Sequence, residues 1–119
     1  MALTGTRVLL VEDDPVISSL MRDCLEELGC VVAAVATQLE DAMEMARTLA
    51  LDVALLDVNL AGRTTYDVAE TLRARGVKFV YATGYGRAAL PAQLVGVPVL
   101  FKPFRLEQLA RALRTAMQG

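Results

Sequence analysis

Five short, nearly continuous apolar runs limit what this chain can fold into. They lie at residues 7–11, 30–36, 53–56, 78–82 and 97–101. Runs of this length are typical of strands that are covered on both faces, as in parallel sheets. Between the runs, apolar residues recur mostly at helical spacing, so the pattern is a strand and then a helix, five times over. The sequence therefore predicts an α/β fold with a doubly wound five-stranded parallel sheet, right-handed crossovers and strand order 2-1-3-4-5.

Capping residues predict where the first two helices begin. Asp14 is placed as the N-cap of a helix whose first position is Pro15 and which ends at Gly29. Thr37 and Glu40 have the spacing of a capping box for a second helix, which is expected to end near residue 49.

The later part of the chain is less regular. A loop is predicted at 59–65, a third helix at 66–75 and a last helix at 105–117. Residues 87–96 contain Pro91 and few helix-compatible positions. The fourth helix is therefore expected to be short, irregular or missing.

Length and charge exclude several classes of protein. At 119 residues the chain is expected to form one domain, residues 1–119, with no effector domain. Its 12 basic and 14 acidic residues are intermixed, which gives no footprint for nucleic acid or an anionic membrane. The apolar runs are too short to span a bilayer or to form a signal peptide. A cytoplasmic protein is expected.

Few residue types are available for chemistry. The chain has no histidine, which removes imidazole as a ligand, base or nucleophile. Cys24 and Cys30 lie in apolar surroundings and are interpreted as core fillers, with a disulfide or redox role as the less favoured alternative. Reactive groups must therefore be carboxylates, hydroxyls or the two lysines, Lys78 and Lys102.

Polar residues follow four of the predicted strands. Glu12 and Asp13 follow the first strand, Asp57 the third, Thr83 the fourth and Lys102 the fifth. Strands one and three are neighbours in the predicted order, so their three carboxylates should converge, repel one another and attract a cation. Oxygen ligands favour Mg²⁺ over Zn²⁺. A hydroxyl and an ammonium on the other side would suit a phosphoryl group, although Asp57 could instead simply cap the next turn.

These strand-end residues, together with Lys102-Pro103, resemble the receiver domain of two-component response regulators (CheY-like), which has a flavodoxin-like fold. The resemblance covers essentially the whole chain. Residues 79–85 further resemble the PFxFATGY motif of the stand-alone FATGUY receivers, with Lys78 in place of the proline and Tyr81 in place of the second phenylalanine.

The resemblance implies a phosphoacceptor and a metal site. Asp57 would accept a phosphoryl group from the phosphohistidine of a sensor histidine kinase or a histidine phosphotransfer protein. Mg²⁺ would bind Asp13, Asp57 and the backbone carbonyl of Asn59 directly, and Glu12 through water.

The resemblance also implies that Thr83 and Lys102 bind phosphoryl oxygens and that the peptide bond before Pro103 is cis. Receivers commonly carry an aromatic switch residue three positions before the lysine, and this position is Val99 here.

Because Val99 is too small for that switch, another segment is expected to change on phosphorylation. The candidate is the loop of Gly84, Tyr85 and Gly86, since flanking glycines ease backbone rearrangement. Slower amide exchange over residues 84–96 is expected when beryllium fluoride and Mg²⁺ are added.

The function implied is that of a single-domain response regulator of a phosphorelay. It would signal to an unknown downstream protein by binding or by phosphate relay, and it would catalyse only its own phosphorylation and dephosphorylation. One alternative is a pseudo-receiver that binds proteins without phosphorylation. Another is a haloacid-dehalogenase-like phosphatase, because Asp57-Val-Asn59 echoes the nucleophile motif of that family. A nucleotide or flavin site is disfavoured, since the acidic residues after the first strand would repel phosphate.

Overall fold

The computed structural model describes residues 2–84 and 96–118. The strands are β1 (Arg7–Val11), β2 (Val31–Ala36), β3 (Val53–Asp57), β4 (Asn59–Leu60), β5 (Arg63–Thr64), β6 (Lys78–Thr83) and β7 (Val99–Phe101). The described helices are α1 (Pro15–Glu27), α2 (Leu39–Thr48), α3 (Tyr66–Ala74) and α4 (Leu106–Gln118). None of these helices has the length and apolar character needed to cross a membrane.

Five strands form one parallel sheet in the order β2-β1-β3-β6-β7. The predicted order 2-1-3-4-5 is confirmed, because β6 and β7 are the fourth and fifth strands of the prediction. The fold is the expected flavodoxin-like α/β fold. The fourth helix predicted at 87–96 lies almost wholly outside the described residues.

The sheet has a hydrophobic core on each face. Leu55 of β3 packs into one core together with residues of α1 and α4, whereas its neighbour Leu56 packs into the other with residues of α2 and α3. Both side chains are fully buried, as are Val53 and Ala54. This two-sided burial explains why β3 is a continuous apolar run rather than an alternating one.

The start of α1 is as predicted. Asp14 is the N-cap, and its carboxylate accepts hydrogen bonds from the backbone N–H groups of Val16 and Ile17 at 2.9 and 3.2 Å. Pro15 takes the first helical position, where its missing N–H costs nothing.

The predicted capping box of α2 is wrong. The N-cap is Gln38, whose side chain makes no capping hydrogen bond. Glu40 instead accepts a hydrogen bond of 2.6 Å from the guanidinium of Arg63. Because the N-cap is Gln38 rather than Thr37, Glu40 lies at the second helical position and not at the third, where a capping box requires it.

The predicted loop at 59–65 contains a small hairpin made by β4 and β5. Its two turn residues, Ala61 and Gly62, both have positive φ, 50° and 83°. Positive φ at both positions is typical of a type I′ turn, whose twist matches that of the strands in a two-residue hairpin. A local sequence pattern does not predict this turn, because alanine rarely adopts positive φ.

The start of the last strand differs from the prediction. Strand β7 begins at Val99 rather than at residue 97, because Pro98 has no N–H to donate to the sheet.

Cys24 and Cys30 are free thiols in the core on the α1 side, as expected of core fillers, and burial raises the pKa of both.

Candidate functional site

The site lies at the edge of the sheet where the parallel strands end. Glu12 and Asp13 follow β1, Asp57 ends β3, Thr83 ends β6 and Lys102 follows β7. The doubly wound order places β1 and β3 side by side, so the acidic residues of two distant segments share this edge.

Three carboxylates converge there as predicted. Glu12, Asp13 and Asp57 each offer an oxygen atom, and the three atoms lie within 4.8 Å of one another. Glu12 is only 1% exposed, Asp57 is half-buried and Asp13 is exposed. Hard oxygen donors, one of them open to solvent, are a set that suits Mg²⁺.

Lys102 supplies the positive charge opposite these carboxylates. Its Nζ atom lies 2.7 Å from Oε1 of Glu12 and 3.3 Å from Oδ2 of Asp57. Burial alone would lower the pKa of Lys102, but the hydrogen bond to Glu12 and the charges of both carboxylates raise it above its usual value. The lysine is therefore charged, and it holds the two acidic side chains together.

The pKa of Asp57 is shifted upward, whereas the pKa of a typical ion-paired carboxylate is lowered. Burial raises its pKa most strongly, Lys102 opposes this and the charge of Glu12 adds to it, so that the pKa is about 6. The charged form of Asp57 is therefore under-compensated, and a further cation beside it would lower the free energy of the site.

Backbone N–H groups fix the positions of all three carboxylates. The amide of Asp14 donates to Glu12 at 3.1 Å, that of Ala61 to Asp13 at 3.2 Å and that of Asn59 to Asp57 at 3.4 Å. The β4–β5 hairpin thus contacts the acidic cluster. It also carries Asn59, whose carbonyl stays a predicted metal ligand.

The ends of β6 and β7 are joined beside the cluster. The amide of Lys102 donates to the carbonyl of Thr83 at 2.8 Å, and Thr83 is only 2% exposed. The Lys102–Pro103 peptide bond is cis, as the resemblance implies.

The switch residues are only partly described. Val99 pairs in register with Tyr81 of β6. The buried Tyr81 ring packs edge-on against Tyr66 and Phe79, with ring centroids 6.2 and 5.6 Å away. Tyr85 and Gly86 lie outside the described residues, so the proposed switch loop stays a prediction.

Sequence reasoning missed one residue near the site. The predicted loop at 59–65 gives Thr65 no role, yet its hydroxyl lies 2.6 Å from the carbonyl oxygen of Asp57 and is fully buried. No local pattern reveals this contact, because it depends on how the hairpin folds back on β3.

A doubly wound sheet with an acidic cluster and a facing lysine at its carboxyl edge is the arrangement that the resemblance to receiver domains implies. Residues 8–114 match the family model described as the response regulator receiver domain. The chain belongs to this family.

Solved structures agree with that assignment. The solution structure of SdrG from Sphingomonas melonis Fr1 is 35% identical, with a TM-score of 0.85 over 97% of this chain and 98% of that one. The receiver domain of the sensor histidine kinase PA1611 from Pseudomonas aeruginosa PAO1 is 25% identical, with a TM-score of 0.80 over 98% of this chain and 100% of that one. That structure has a magnesium ion coordinated in its active-site cleft.

Curated relatives are longer proteins. The positive alginate biosynthesis regulatory protein of Pseudomonas aeruginosa is 32% identical over 114 residues, which are 92% of this chain and 46% of that protein. The chain spans about half the length of the curated relatives it matches. Membership of the FATGUY subgroup, the absence of an effector domain and a cytoplasmic location stay predictions.

Proposed function

We propose that this domain accepts a phosphoryl group on Asp57 from a phosphohistidine of a sensor histidine kinase or a histidine phosphotransfer protein, in a Mg²⁺-dependent reaction. The observation that carries this proposal is the setting of Asp57. Its half-buried carboxylate lies at the end of a central strand, between an acidic pair and a lysine 3.3 Å away. A carboxylate whose negative charge is under-compensated is suited to a reaction in which a cation assists.

The transfer is a displacement at phosphorus. An Asp57 oxygen attacks, an O–P bond forms, the P–N bond breaks and the imidazole leaves with its electron pair. Lys102 and Thr83 would bind the phosphoryl oxygens, since Thr83 ends β6 and Lys102 follows β7 at the same edge of the sheet as Asp57. The donor imidazole belongs to a partner, because this chain contains no histidine.

The metal would be held by Asp13, Asp57 and the carbonyl of Asn59. When bound, Mg²⁺ neutralises charge on the phosphoryl oxygens and on the cluster. Glu12 would take part through water, while its direct contact with Lys102 keeps the ammonium beside Asp57.

The output would be a change in protein binding or a relay of the phosphoryl group to another protein. With valine at position 99, the signal must reach the surface by a route other than the strand-five aromatic. The loop of residues 84–86 is the proposed route, and its test is the amide exchange of residues 84–96 with and without beryllium fluoride.

Labelling with acetyl phosphate and Mg²⁺ tests the proposed acceptor. We expect mass spectrometry to show one added phosphoryl group on the wild type and none on Asp57→Asn. Asp52→Asn is the matched control, because Asp52 precedes the same strand at its opposite end, where its carboxylate accepts a hydrogen bond from the backbone N–H of Arg7. Equal labelling of Asp57→Asn and wild type would show that the acceptor is wrong.

The same assay separates the alternatives. A pseudo-receiver would take up no phosphoryl group although it folds. A haloacid-dehalogenase-like phosphatase would turn over a phosphomonoester, whereas we expect modification of Asp57 without turnover of such a substrate.

A further inference from the structure

Thr65 makes an unusual choice of hydrogen bond at the start of α3. It occupies the N-cap position, where a threonine side chain normally accepts a hydrogen bond from the first turn of the helix. Here the side chain makes no capping bond, and the backbone angles, φ −103° and ψ 19°, lie outside the extended region that N-caps usually adopt. The hydroxyl is directed elsewhere.

The hydroxyl instead contacts the backbone carbonyl groups of Asp57, the proposed phosphoacceptor, and of Val58. The Oγ1 atom of Thr65 donates to the carbonyl of Asp57 at 2.6 Å and lies 3.4 Å from the carbonyl of Val58. The backbone N–H of Thr65 also donates to the carbonyl of Val58, at 3.0 Å. One fully buried residue therefore binds two successive peptide groups between Asp57 and Asn59.

Those two peptide groups set the geometry of the acidic site on the β3 side. The Val58 amide is bound to the carbonyl of Ala82 at 3.1 Å, so the segment is fixed to β6 on one side and to Thr65 on the other. The segment carries the Asp57 carboxylate at one end and Asn59 at the other. Outer groups that orient ligands in this way typically change metal affinity or activity by about 10- to 100-fold when they are removed.

We infer that Thr65 is a positioning residue for the phosphoacceptor, because its buried hydroxyl holds the Asp57–Val58–Asn59 backbone in the arrangement that binds Mg²⁺ and accepts the phosphoryl group. The inference rests on the proposed function of Asp57 and deepens it. The hydroxyl makes no helix-capping bond and instead connects the start of α3 to the end of β3 at the reacting residue.

The test compares Thr65→Val, which keeps the shape of the side chain but lacks the hydroxyl, with Thr65→Ser, which keeps the hydroxyl. Thr71→Val is the matched control, because the Thr71 hydroxyl also donates to a backbone carbonyl, that of Asp67 within α3, at 3.0 Å. Three quantities are measured: Mg²⁺ affinity by calorimetry, amide exchange of Val58 and Asn59 without metal, and the rate of labelling by acetyl phosphate.

We expect Thr65→Val to bind Mg²⁺ about tenfold more weakly, to be labelled about tenfold more slowly and to exchange the two amides faster. Thr65→Ser should recover most of each effect, and Thr71→Val should match the wild type. Should Thr65→Val fail to fold, Thr65→Cys provides the test, since a thiol is a weak donor of similar size.

Wild-type Mg²⁺ affinity and local amide exchange in a folded Thr65→Val or Thr65→Cys variant would overturn the inference. A loss of thermal stability alone, with these two quantities unchanged, would also overturn it, because it would leave Thr65 with a purely structural role. Failure of the proposed function is recognised separately: the wild type itself would then take no label, while affinity and exchange would still report on Thr65.

Discussion

Charged side chains occur in two very different settings in this domain. At the carboxyl edge of the sheet, Lys102 contacts a glutamate that is 1% exposed and an aspartate that is half-buried. On the helices, pairs such as Arg47 with Glu44 lie one turn apart, and each side chain is more than half exposed to solvent. Both settings pair a cationic side chain with carboxylates.

The difference between them is the solvent. Water screens the helical pairs, and exposed pairs of this kind contribute between 0 and about 1 kcal/mol. Burial removes that screening at the sheet edge, so each charge there depends on its neighbours and the pKa of Asp57 rises to about 6. The charges at the edge therefore depend on their partners far more than the helical charges do, and each prediction below tests this contrast.

The largest effect is expected from Lys102→Met. It removes the cation and keeps an apolar stem, and it leaves Glu12 buried without a partner charge. Breaking a buried pair in this way costs about 3 kcal/mol or more, so the free energy of unfolding in urea at pH 7.5 should fall by that amount.

Adding Glu12→Gln to Lys102→Met should recover part of this loss, because the orphaned charge is then removed as well. A loss no greater than that of a surface variant would show that the edge is screened like the helices.

The next effect has the opposite sign. Asp57→Asn should stabilise the metal-free domain at pH 7.5 by about 3 kcal/mol, because it removes a carboxylate whose pKa is raised from 3.8 to about 6. Asp13→Ala should change the free energy of unfolding by less than about 0.5 kcal/mol, because the Asp13 side chain is exposed.

Thermal or urea unfolding without metal measures both changes. A less stable Asp57→Asn variant would show that repulsion and burial do not dominate the contribution of Asp57 to the free energy of unfolding.

The pH dependence is smaller and follows from the same pKa. The folded-state pKa of Asp57 is about 6, above the ordinary value of 3.8, so the folded state binds the proton more tightly. Stability from this group is complete below about pH 4 and is lost as the pH rises through 6. Lowering the pH from 7.5 to 5 should therefore add about 1 kcal/mol to the free energy of unfolding of the wild type relative to Asp57→Asn.

Mg²⁺ binding should weaken over the same interval, since a protonated carboxyl group is a poor ligand. Equal pH profiles for the wild type and Asp57→Asn would assign the titration to another group.

The smallest effect is expected on the helices. Arg47→Met should change the free energy of unfolding by less than about 0.5 kcal/mol, and addition of salt should shrink even that difference. This variant is the control for Lys102→Met. A cost near that of Lys102→Met would remove the distinction between the two settings.

The sequence by itself determined the five strands of the main sheet and the polar residues at their carboxyl ends. A continuous apolar run indicates a strand that is buried on both faces, so the five sheet strands could be predicted from local sequence. Their order followed from the doubly wound topology. The cap made by Asp14 could likewise be predicted from local sequence, because donor and acceptor lie within three residues of each other. The convergence of Glu12, Asp13 and Asp57 followed from the order of the strands alone.

Only the tertiary structure decided which partner each polar group takes. Glu40 has the spacing of a capping box with Thr37 in the sequence, yet it pairs with Arg63, which is 23 residues away along the chain. Thr65 has an N-cap position, yet its hydroxyl binds the carbonyl of Asp57. The pKa of Asp57 depends in the same way on burial and on charges from two other strands. Hydrogen bonds and Coulomb interactions depend on distance in space, and a local sequence pattern gives only distance along the chain.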